Sequence, residues 1–199
     1  GTDGNVISYD ASGDPVAIAT GTDGQVLTST GAGSPPAFES VAGGLSVFDN
    51  WRLNAEVQFG SGTQILDSNW EQVDTDGIGN LGTGLTQSSG VFSFDSTGYY
   101  LIIAQFDCYR NNGEIKQQDY LLKTTLDNST YTEASRVEIS TDATDYYNSS
   151  TLQFIFDVTN TTNCKFSFTA IDSNSSNPTT VGGTDCTFTG FTCIKLAAT

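Results

Sequence analysis

The sequence contains no histidine and no methionine, and only 7 of its 199 residues are lysine or arginine. Because histidine is missing, a Ser-His-Asp triad, a Cys-His pair and a mixed Cys/His zinc site are all excluded. The chain begins at Gly1 without any methionine, so we expect the natural protein to begin upstream of it. No zinc motif matches the spacing of the four cysteines: Cys108, Cys164, Cys186 and Cys193.

The shortage of basic side chains also limits the partners. With 23 acidic residues, the formal net charge is −16, whereas nucleic acid requires clustered Lys and Arg to neutralise its phosphates. An anionic membrane surface is disfavoured for the same reason. The longest apolar run, residues 99–104, has the length of a strand and is far too short to span a membrane. We therefore predict neither nucleic-acid binding nor membrane insertion.

What the sequence does contain is a pronounced strand pattern within residues 90–108, GVFSFDSTGYYLIIAQFDC. After a turn that ends at Gly98, side chains alternate between two faces, as in a strand with one core-facing side. The second face carries Leu101 and Ile103, so we predict that a second sheet or another subunit covers it. Residues 91–94 are also apolar, and we interpret the two stretches as a strand pair at the centre of the fold. The predicted core face is Tyr100, Ile102, Ala104, Phe106 and Cys108.

From Leu45 onward the chain is a succession of short apolar stretches separated by turn-forming clusters, with no helical periodicity. This pattern is typical of an antiparallel sandwich or barrel, and we predict an all-β domain over residues 45–199. Cys108 and Cys164 fall on apolar strand faces and are predicted to be buried thiols, with a disulfide left as the alternative. Two further core faces alternate cleanly: Leu152, Phe154, Phe156 and Val158, and Phe166, Phe168 and Ala170.

Residues 1–44 differ, because they contain two copies of a unit that begins Gly-Thr-Asp-Gly, at Gly1 and at Gly21. One such unit cannot bury its own apolar residues, so repeats of this kind are stabilised by stacking or by association between chains. The alternative is a flexible Gly/Ser linker. We predict an ordered shaft with a boundary at residues 41–44, because apolar positions recur in phase: Val6, Ile7, Ile18, Val26, Leu27 and Phe38.

The second copy, GTDGQVLTSTGAGSPPAFE, resembles a repeat of structural proteins of tailed bacteriophages, particularly fibre-type proteins. The resemblance covers both copies and implies a virion protein. It implies that residues 1–44 contact other virion proteins and that the rest of the chain is exposed on the particle.

Residues 90–105 resemble the globular head of the complement first-component q-subunit, where a tight turn leads through Gly-x-Tyr into a long core strand. Residues 187–194 resemble that family's closing Phe-x-Gly-Phe strand. With Trp70 and the Gly-rich loop 77–84, the resemblance spans residues 45–199, although the middle is longer and no ligand residue carries over. It implies a jelly roll of the complement and tumour-necrosis-factor type that forms a homotrimer. Residues expected near the core or the trimer axis are Gly98, Tyr100, Leu101, Ile103, Phe188, Gly190 and Phe191.

One loop offers a possible cation site. Residues 73–80, VDTDGIGN, present oxygen ligands of the kind that calcium takes, from Asp74, Asp76 and Asn80. The loop is not an EF-hand, because its glycine comes too early and the distal glutamate is missing. A Gly-rich loop without a metal is the alternative reading. No other cofactor is predicted.

Three tyrosines in polar loops, Tyr131, Tyr146 and Tyr147, are predicted contact residues, because a flat apolar ring with a polar tip suits glycan or protein contact. Folding back of these rings onto the sheet is the alternative. Carboxylate pairs such as Glu133 with Glu138 could serve a glycosidase, but solvated acidic loops are far more common. We predict no enzymatic activity.

The predicted function is that of a virion surface protein, assembled in the host cytoplasm and exposed on the particle. Its trimeric head would contact a host-surface glycan or protein, and three copies would multiply weak contacts. One alternative is a capsid decoration or head-fibre protein without a receptor role. Another is a secreted complement-like lectin or adhesion module. A polysaccharide-degrading tailspike is a further alternative.

Overall fold

A computed structural model describes residues 4–40, 44–58, 60–75, 77–111, 113–142 and 146–198. The chain forms two compact units, Gly1–Gly44 and Leu45–Thr199. Of the predicted boundary at residues 41–44, only Gly44 is among the described residues. All regular structure in the described ranges is β-strand, and none of these residues belongs to a helix long and apolar enough to cross a membrane.

In the first unit, each sequence repeat folds into one antiparallel hairpin. β1 (Val6–Tyr9) pairs with β2 (Pro15–Ile18), and β3 (Gln25–Thr28) pairs with β4 (Ala37–Ser40). Gly4 and Gly24 occupy equivalent turns with the same φ of 86°, a conformation that favours glycine. Apolar side chains of both hairpins remain exposed, so neither hairpin buries its own apolar face. The exposed set includes Val6, Ile7, Val26 and Leu27.

The second unit consists of two antiparallel sheets packed face to face. The first sheet contains, in spatial order, β14 (Asn148–Val158), β11 (Gly98–Tyr109), β17 (Gly190–Ala197), β5 (Phe48–Leu53) and β8 (Trp70–Gln72). Two short strands extend it: β16 (Thr179–Thr180) pairs with the end of β11, and β6 (Val57–Gln58) pairs with β16. The second contains β13 (Thr132–Thr141), β12 (Ile115–Thr125), β15 (Lys165–Asp172), β10 (Val91–Ser93) and β9 (Thr86–Ser88), with β7 (Gly62–Ile65) also paired to β15. This architecture confirms the predicted antiparallel sandwich.

The core between the sheets is dominated by aromatic rings. Phe92 stacks on Phe166 with 5.0 Å between ring centroids, and Phe106 of the first sheet stacks on Tyr120 of the second at 4.5 Å. Every member of the predicted core face of β11 is buried, and so are the predicted thiols Cys108 and Cys164. The other two predicted faces also point into the core, with Phe154 only partly buried.

The interpretation of residues 91–108 as a strand pair is wrong. β10 pairs with β9 and β15 in the second sheet, whereas β11 pairs with β14 and β17 in the first. The intervening turn therefore carries the chain across the core from one sheet to the other. Both strands are apolar because they face each other across that core, where the ring centroids of Phe94 and Tyr100 lie 4.6 Å apart. Although the run of short apolar stretches starts at Leu45, the first strand of this unit, β5, begins only at Phe48.

The strand register places the loops at two ends of the sandwich. Gly98 faces Val158 and Tyr99 faces Ala197, so the turns 94–97 and 159–164 share one end with the end of β17. Since Ile194 faces Phe48, the start of the unit lies towards this end too, and we call it the terminal end. Cys108 faces Asn148 at the other end, which we call the distal end. The described loop residues at the distal end include 142, 146–147 and 173–178.

Candidate functional site

The outer face of the first sheet, which points away from the core, carries clustered apolar side chains. Leu101 lies in register with Ile155 on one side and Ile194 on the other, so three aliphatic residues sit side by side on adjacent strands. Ile155 is 57% exposed and Ile103 is 40% exposed. A contiguous exposed apolar surface of this kind commonly marks an interaction site. We call it the outer apolar patch: Tyr99, Leu101, Ile103, Ile155, Ile194 and Leu196.

The sequence predicts a cover over Leu101 and Ile103. In the structure the second sheet packs against the opposite face of β11, and among the described residues Leu101 is only half-buried. The predicted cover by a second sheet is therefore wrong for the described residues, and the cover by another subunit stays a prediction.

A shallow cavity of about 260 Å³ continues the outer apolar patch towards the Gly-rich loop. Ile103, Phe191 and Ile78 form part of its apolar lining. Gln105, on the same face of β11, donates hydrogen bonds from Nε2 to the carbonyl oxygens of Thr187 and Phe188, at 2.9 and 2.8 Å. Gln105 thereby holds the loop before β17 against the sheet and forms the polar border of the patch.

Further along the same face, Asp107 ends the apolar surface. Its carboxyl is half-buried, and Oδ1 is inaccessible to solvent and has no hydrogen-bond partner among the described residues. Burial raises the pKa of Asp107, an effect only partly opposed by a hydrogen bond from the backbone N–H of Cys108. A carboxylate with one unsatisfied oxygen beside an apolar surface makes this end of the face sensitive to protonation.

The distal end carries an aromatic pair. The rings of Tyr109 and Tyr147 stack with 4.7 Å between centroids, and the Tyr109 hydroxyl donates to Glu56 Oε2 at 3.2 Å. Tyr146 and Tyr147 are 64% and 60% exposed. Burial and the Glu56 carboxylate both raise the pKa of Tyr109. Beside the tyrosines lies an open cavity of about 350 Å³ with polar walls that include Asp142.

The structure does not bring the three predicted contact tyrosines together. Tyr131 precedes β13 and lies at the terminal end, whereas Tyr146 and Tyr147 follow β13 at the distal end. A strand of the ten residues of β13 is roughly 33 Å long at 3.3 Å per residue. Tyr131 is half-buried against the second sheet, where burial raises its pKa.

The predicted calcium ligands have protein partners. Asp74 Oδ1 lies 3.4 Å from Arg52 Nη2, and Asn80 Oδ1 accepts the backbone N–H of Asn50 at 3.1 Å. Asp76 lies outside the described residues. Within the described ranges, no group of three or more Asp, Glu, Cys or His side chains could hold a metal ion. The calcium site therefore stays a prediction from the sequence.

Arg52 of β5 binds side chains of β8 and of the segment that follows β8. It is almost fully buried, and its Nε donates to Glu71 Oε1 at 2.7 Å while Nη1 donates to Thr75 Oγ1 at 2.9 Å. Hydrogen bonds from Asn54 and from Arg52 lower the pKa of Glu71. The segment after β8 is thus held over the outer face by one buried guanidinium.

The residues expected near the core or the trimer axis occupy different environments. Tyr100 and Phe191 are buried in the core, and the Tyr100 hydroxyl donates to the Ser96 carbonyl at 2.9 Å. Gly98 and Gly190 are buried where a Cβ would lie about 2.4 Å from a backbone oxygen. Phe188 is exposed in the loop before β17. Their role at a trimer axis stays a prediction.

Sequence reasoning missed Ile155 and the pair formed by Tyr109 and Glu56. Ile155 stands alone on the polar face of β14, and only its register with Leu101 gives it apolar neighbours. Tyr109 and Glu56 are 53 positions apart in sequence and meet only through the pairing of β6, β16 and β11.

No family model matches the chain, and a search of curated proteins finds no match. Solved structures do match. The structure of Eiger TNF from S. frugiperda has a TM-score of 0.59 at 14% identity and covers 77% of this chain and 94% of that chain. The second unit is a tumour-necrosis-factor-like jelly roll. Murine APRIL at pH 8.5 has a TM-score of 0.54 at 13% identity, covering 75% of this chain and 98% of that chain.

A second crystal structure of murine APRIL, at pH 5.0, matches equally well, with a TM-score of 0.54 at 14% identity and the same coverage of both chains. At these identities the likeness shows the fold alone. The predicted jelly-roll class is confirmed, and the outer apolar patch lies on one sheet of that jelly roll.

Proposed function

We propose that this protein is a non-enzymatic surface component of a bacteriophage particle, a homotrimer whose jelly roll contacts the host surface. The outer apolar patch is the observation that carries the proposal. It places aliphatic side chains from three adjacent strands on one exposed face. Burial against neighbouring copies would remove this apolar area from water and supply the driving force for assembly. A rotation of 120° between copies closes such a contact into a ring.

The two hairpins of residues 1–44 support a second contact within the particle. Their exposed apolar side chains, such as Ile7 and Leu27, recur in phase along the repeat. Units of this kind become stable when they associate with equivalent units or with a partner. This segment would contact other virion proteins and set the position of the trimer on the particle.

The distal end supplies the surface for the host. Exposed Tyr146 and Tyr147 lie there beside Asp142 and Asn148, around an open polar cavity. Flat aromatic rings next to hydroxyl, amide and carboxyl groups suit the mixed apolar and polar surface of glycans or of proteins. Three such ends in a trimer would raise the apparent affinity for a multivalent surface.

Glu133, one of the acidic side chains named as possible catalysts, is held in an ion pair. Glu133 accepts two hydrogen bonds from Arg136, at 2.9 and 2.7 Å, and this ion pair lowers the pKa of Glu133. A carboxylate held in this way is a poor general acid at neutral pH. These contacts support a binding role over a hydrolytic one.

Light scattering of the purified chain tests the trimer. We expect a mass of 63.3 kDa, three times 21.1 kDa, and we expect Ile155→Asp to shift the mass towards 21.1 kDa. Leu126→Asp is the matched control, because Leu126 is at least as exposed as Ile155 but belongs to a turn outside the patch. A folded monomer of the unaltered chain would overturn the trimer.

Reconstruction of the phage particle tests the location. Density for the jelly roll at the tail would support host attachment, and density at the capsid surface would favour the decoration protein instead. Binding of the trimer to host cells, with Tyr147→Ala as the weakened variant, then tests the receptor role. Retained cell binding by that variant would remove the distal end from the proposal.

A further inference from the structure

The outer face of the second sheet carries a cavity that the proposed function does not use. It has a volume of about 350 Å³, at the small end of the range of roughly 300–1,000 Å³ for small-molecule sites. Ile65 of β7, Val91 of β10 and the ring of Tyr131 line it. These three come from separate elements that converge over β15. The lining is therefore mostly apolar, with few polar groups.

Thr169 lines the cavity and carries a hydroxyl group without a partner in the described part of the chain. Thr169 is almost fully buried, yet its Oγ1 has no hydrogen-bond partner among the described residues. Its neighbour on the same strand face, Ser167, is also buried and also lines the cavity. A buried hydroxyl without a partner is unfavourable. Oγ1 is closed to solvent in the structure, so a ligand with a hydrogen-bonding group would satisfy it after the Thr169 side chain rotates about χ1.

Lys123 lines the same cavity and lies in register with Ser167. Its cross-strand neighbour Glu133 is already bound through both carboxylate oxygens by Arg136. Among the described residues, no carboxylate lies within ion-pair distance of the Lys123 ammonium, although its positive charge helps to lower the pKa of Glu133. An unpaired cation is notable in a chain with 7 basic and 23 acidic residues, where carboxylates are abundant.

We infer that this cavity binds a small amphipathic carboxylate, with its apolar body against Ile65, Val91 and Tyr131 and its carboxylate shared between Lys123 and the Thr169 hydroxyl. The apolar lining selects an aromatic or short aliphatic body over a fully hydroxylated one. The ammonium and the unpartnered hydroxyl select an anion that accepts hydrogen bonds. This inference is independent of the virion role and of the trimer, because the cavity lies on the second sheet.

Benzoate is the probe, with benzamide as its neutral isostere and glucuronate as a polar carboxylate of similar size. Full-length protein with isotope-labelled isoleucine methyl groups is titrated and followed by NMR. We expect saturable shifts of the Ile65 methyl signal, with a Kd on the order of 1–10 mM for so small a ligand, and no shift of Ile155. Benzamide and glucuronate should bind at least about fivefold more weakly.

Two variants and a control test the residues. Lys123→Gln should weaken benzoate binding about tenfold or more, which is the effect of losing one hydrogen bond to a charged group, and should leave benzamide binding unchanged. Lys116→Gln makes the same charge change on β12 outside the cavity and should leave benzoate binding unchanged. Thr169→Val should also weaken benzoate binding while raising thermal stability, so that any loss of binding cannot be attributed to unfolding.

The inference would be overturned if the Ile65 methyl signal did not shift up to about fifty millimolar benzoate, a concentration well above the expected Kd. Equal binding of benzoate and benzamide would also overturn it, and so would unchanged benzoate binding in Lys123→Gln. Tighter binding of glucuronate than of benzoate would replace the amphipathic ligand with an acidic sugar and so overturn the ligand class. None of these results bears on the mass measured by light scattering.

Discussion

The hydroxyl groups of Tyr120 and Thr180 lie 2.6 Å apart in the core. Both residues are fully buried, and they belong to different sheets, Tyr120 to β12 and Thr180 to β16. The Tyr120 ring also stacks on Phe106 of the first sheet. Burial raises the pKa of Tyr120 well above its usual value, so the hydroxyl stays protonated. This hydrogen bond is therefore a polar link between the two sheets.

We expect Tyr120→Phe to destabilise the protein by about 1–3 kcal/mol, because it leaves the Thr180 hydroxyl buried without a partner. Thr180→Val should cost a similar amount for the reciprocal reason. The double variant should be less destabilised than the sum of the two, since replacing both partners leaves no unsatisfied group. Urea unfolding of all four proteins measures this coupling. Strictly additive single effects would show that the hydrogen bond contributes nothing.

The buried carboxylate of Asp49 leaves no room for a side chain at Gly84. An added Cβ at Gly84 would lie 2.3 Å from Asp49 Oδ2. That oxygen accepts the backbone N–H of Leu85 at 2.6 Å and the indole N–H of Trp51 at 2.9 Å. Because Asp49 is fully buried, it could not move without losing these bonds. We expect Gly84→Ala to lower the free energy of unfolding by about 2–4 kcal/mol.

The control for this substitution lies in the same loop. Gly79 has open space where its Cβ would be, so Gly79→Ala should change the free energy of unfolding by less than about 0.5 kcal/mol. Thermal or urea unfolding of both variants makes the comparison. Equal stability of the Gly84→Ala and Gly79→Ala variants would contradict the role assigned to Asp49.

The fold was predictable from the sequence wherever alternation carried the information. The core face of β11 is an example, because period-two patterning depends only on local strand geometry. The partner of each strand was not predictable in the same way. β10 and β11 are adjacent in sequence and both apolar, but facing strands and paired strands produce the same local pattern. Only the long-range pairing of β10 with β15 decides between them.

The candidate site was predictable in part for the same reason. Leu101 and Ile103 are apolar on a face where a solvated strand would be polar, so the sequence indicates a covered surface. Ile155 lacks such a signal, since its neighbours on β14 are polar. Its place beside Leu101 depends on cross-strand register. The contact of Tyr109 with Glu56 depends on pairing among three strands, which no local pattern encodes.

Removing Glu71 should destabilise the protein more than removing Arg52. Arg52 has a side chain only 1% exposed, whereas that of Glu71 is 30% exposed. Glu71→Ala leaves a buried guanidinium without its closest carboxylate, and we expect a loss of about 3 kcal/mol. Arg52→Met leaves carboxylates that water can reach and should change the stability by less than about 1 kcal/mol. Denaturant unfolding compares the two, and a larger loss for Arg52→Met would contradict the argument.

The raised pKa of Asp107 predicts that the stability of the protein depends on pH. Its pKa is raised by burial above the ordinary value of 3.8, so the folded state retains a proton that the unfolded state releases. Its contribution to stability is fully present below pH 3.8 and is lost as the pH rises through the folded-state pKa. Asp107→Asn, which keeps the side chain neutral, should therefore raise the free energy of unfolding at pH 7 and have no effect near pH 3.5, just below the unfolded-state value.

Denaturant unfolding at both pH values, at one protein concentration, measures this difference. Asp157→Asn is the matched control, because Asp157 is an exposed aspartate in register with Tyr99 on the same outer face, and its replacement should give little change at either pH. If Asp107 also lies at the edge of a trimer contact, its ionisation is still less favourable there, since a neighbouring copy excludes water. The gain of Asp107→Asn at pH 7 should then increase with protein concentration. A loss of stability at pH 7 would show that the ionised carboxylate has a favourable partner.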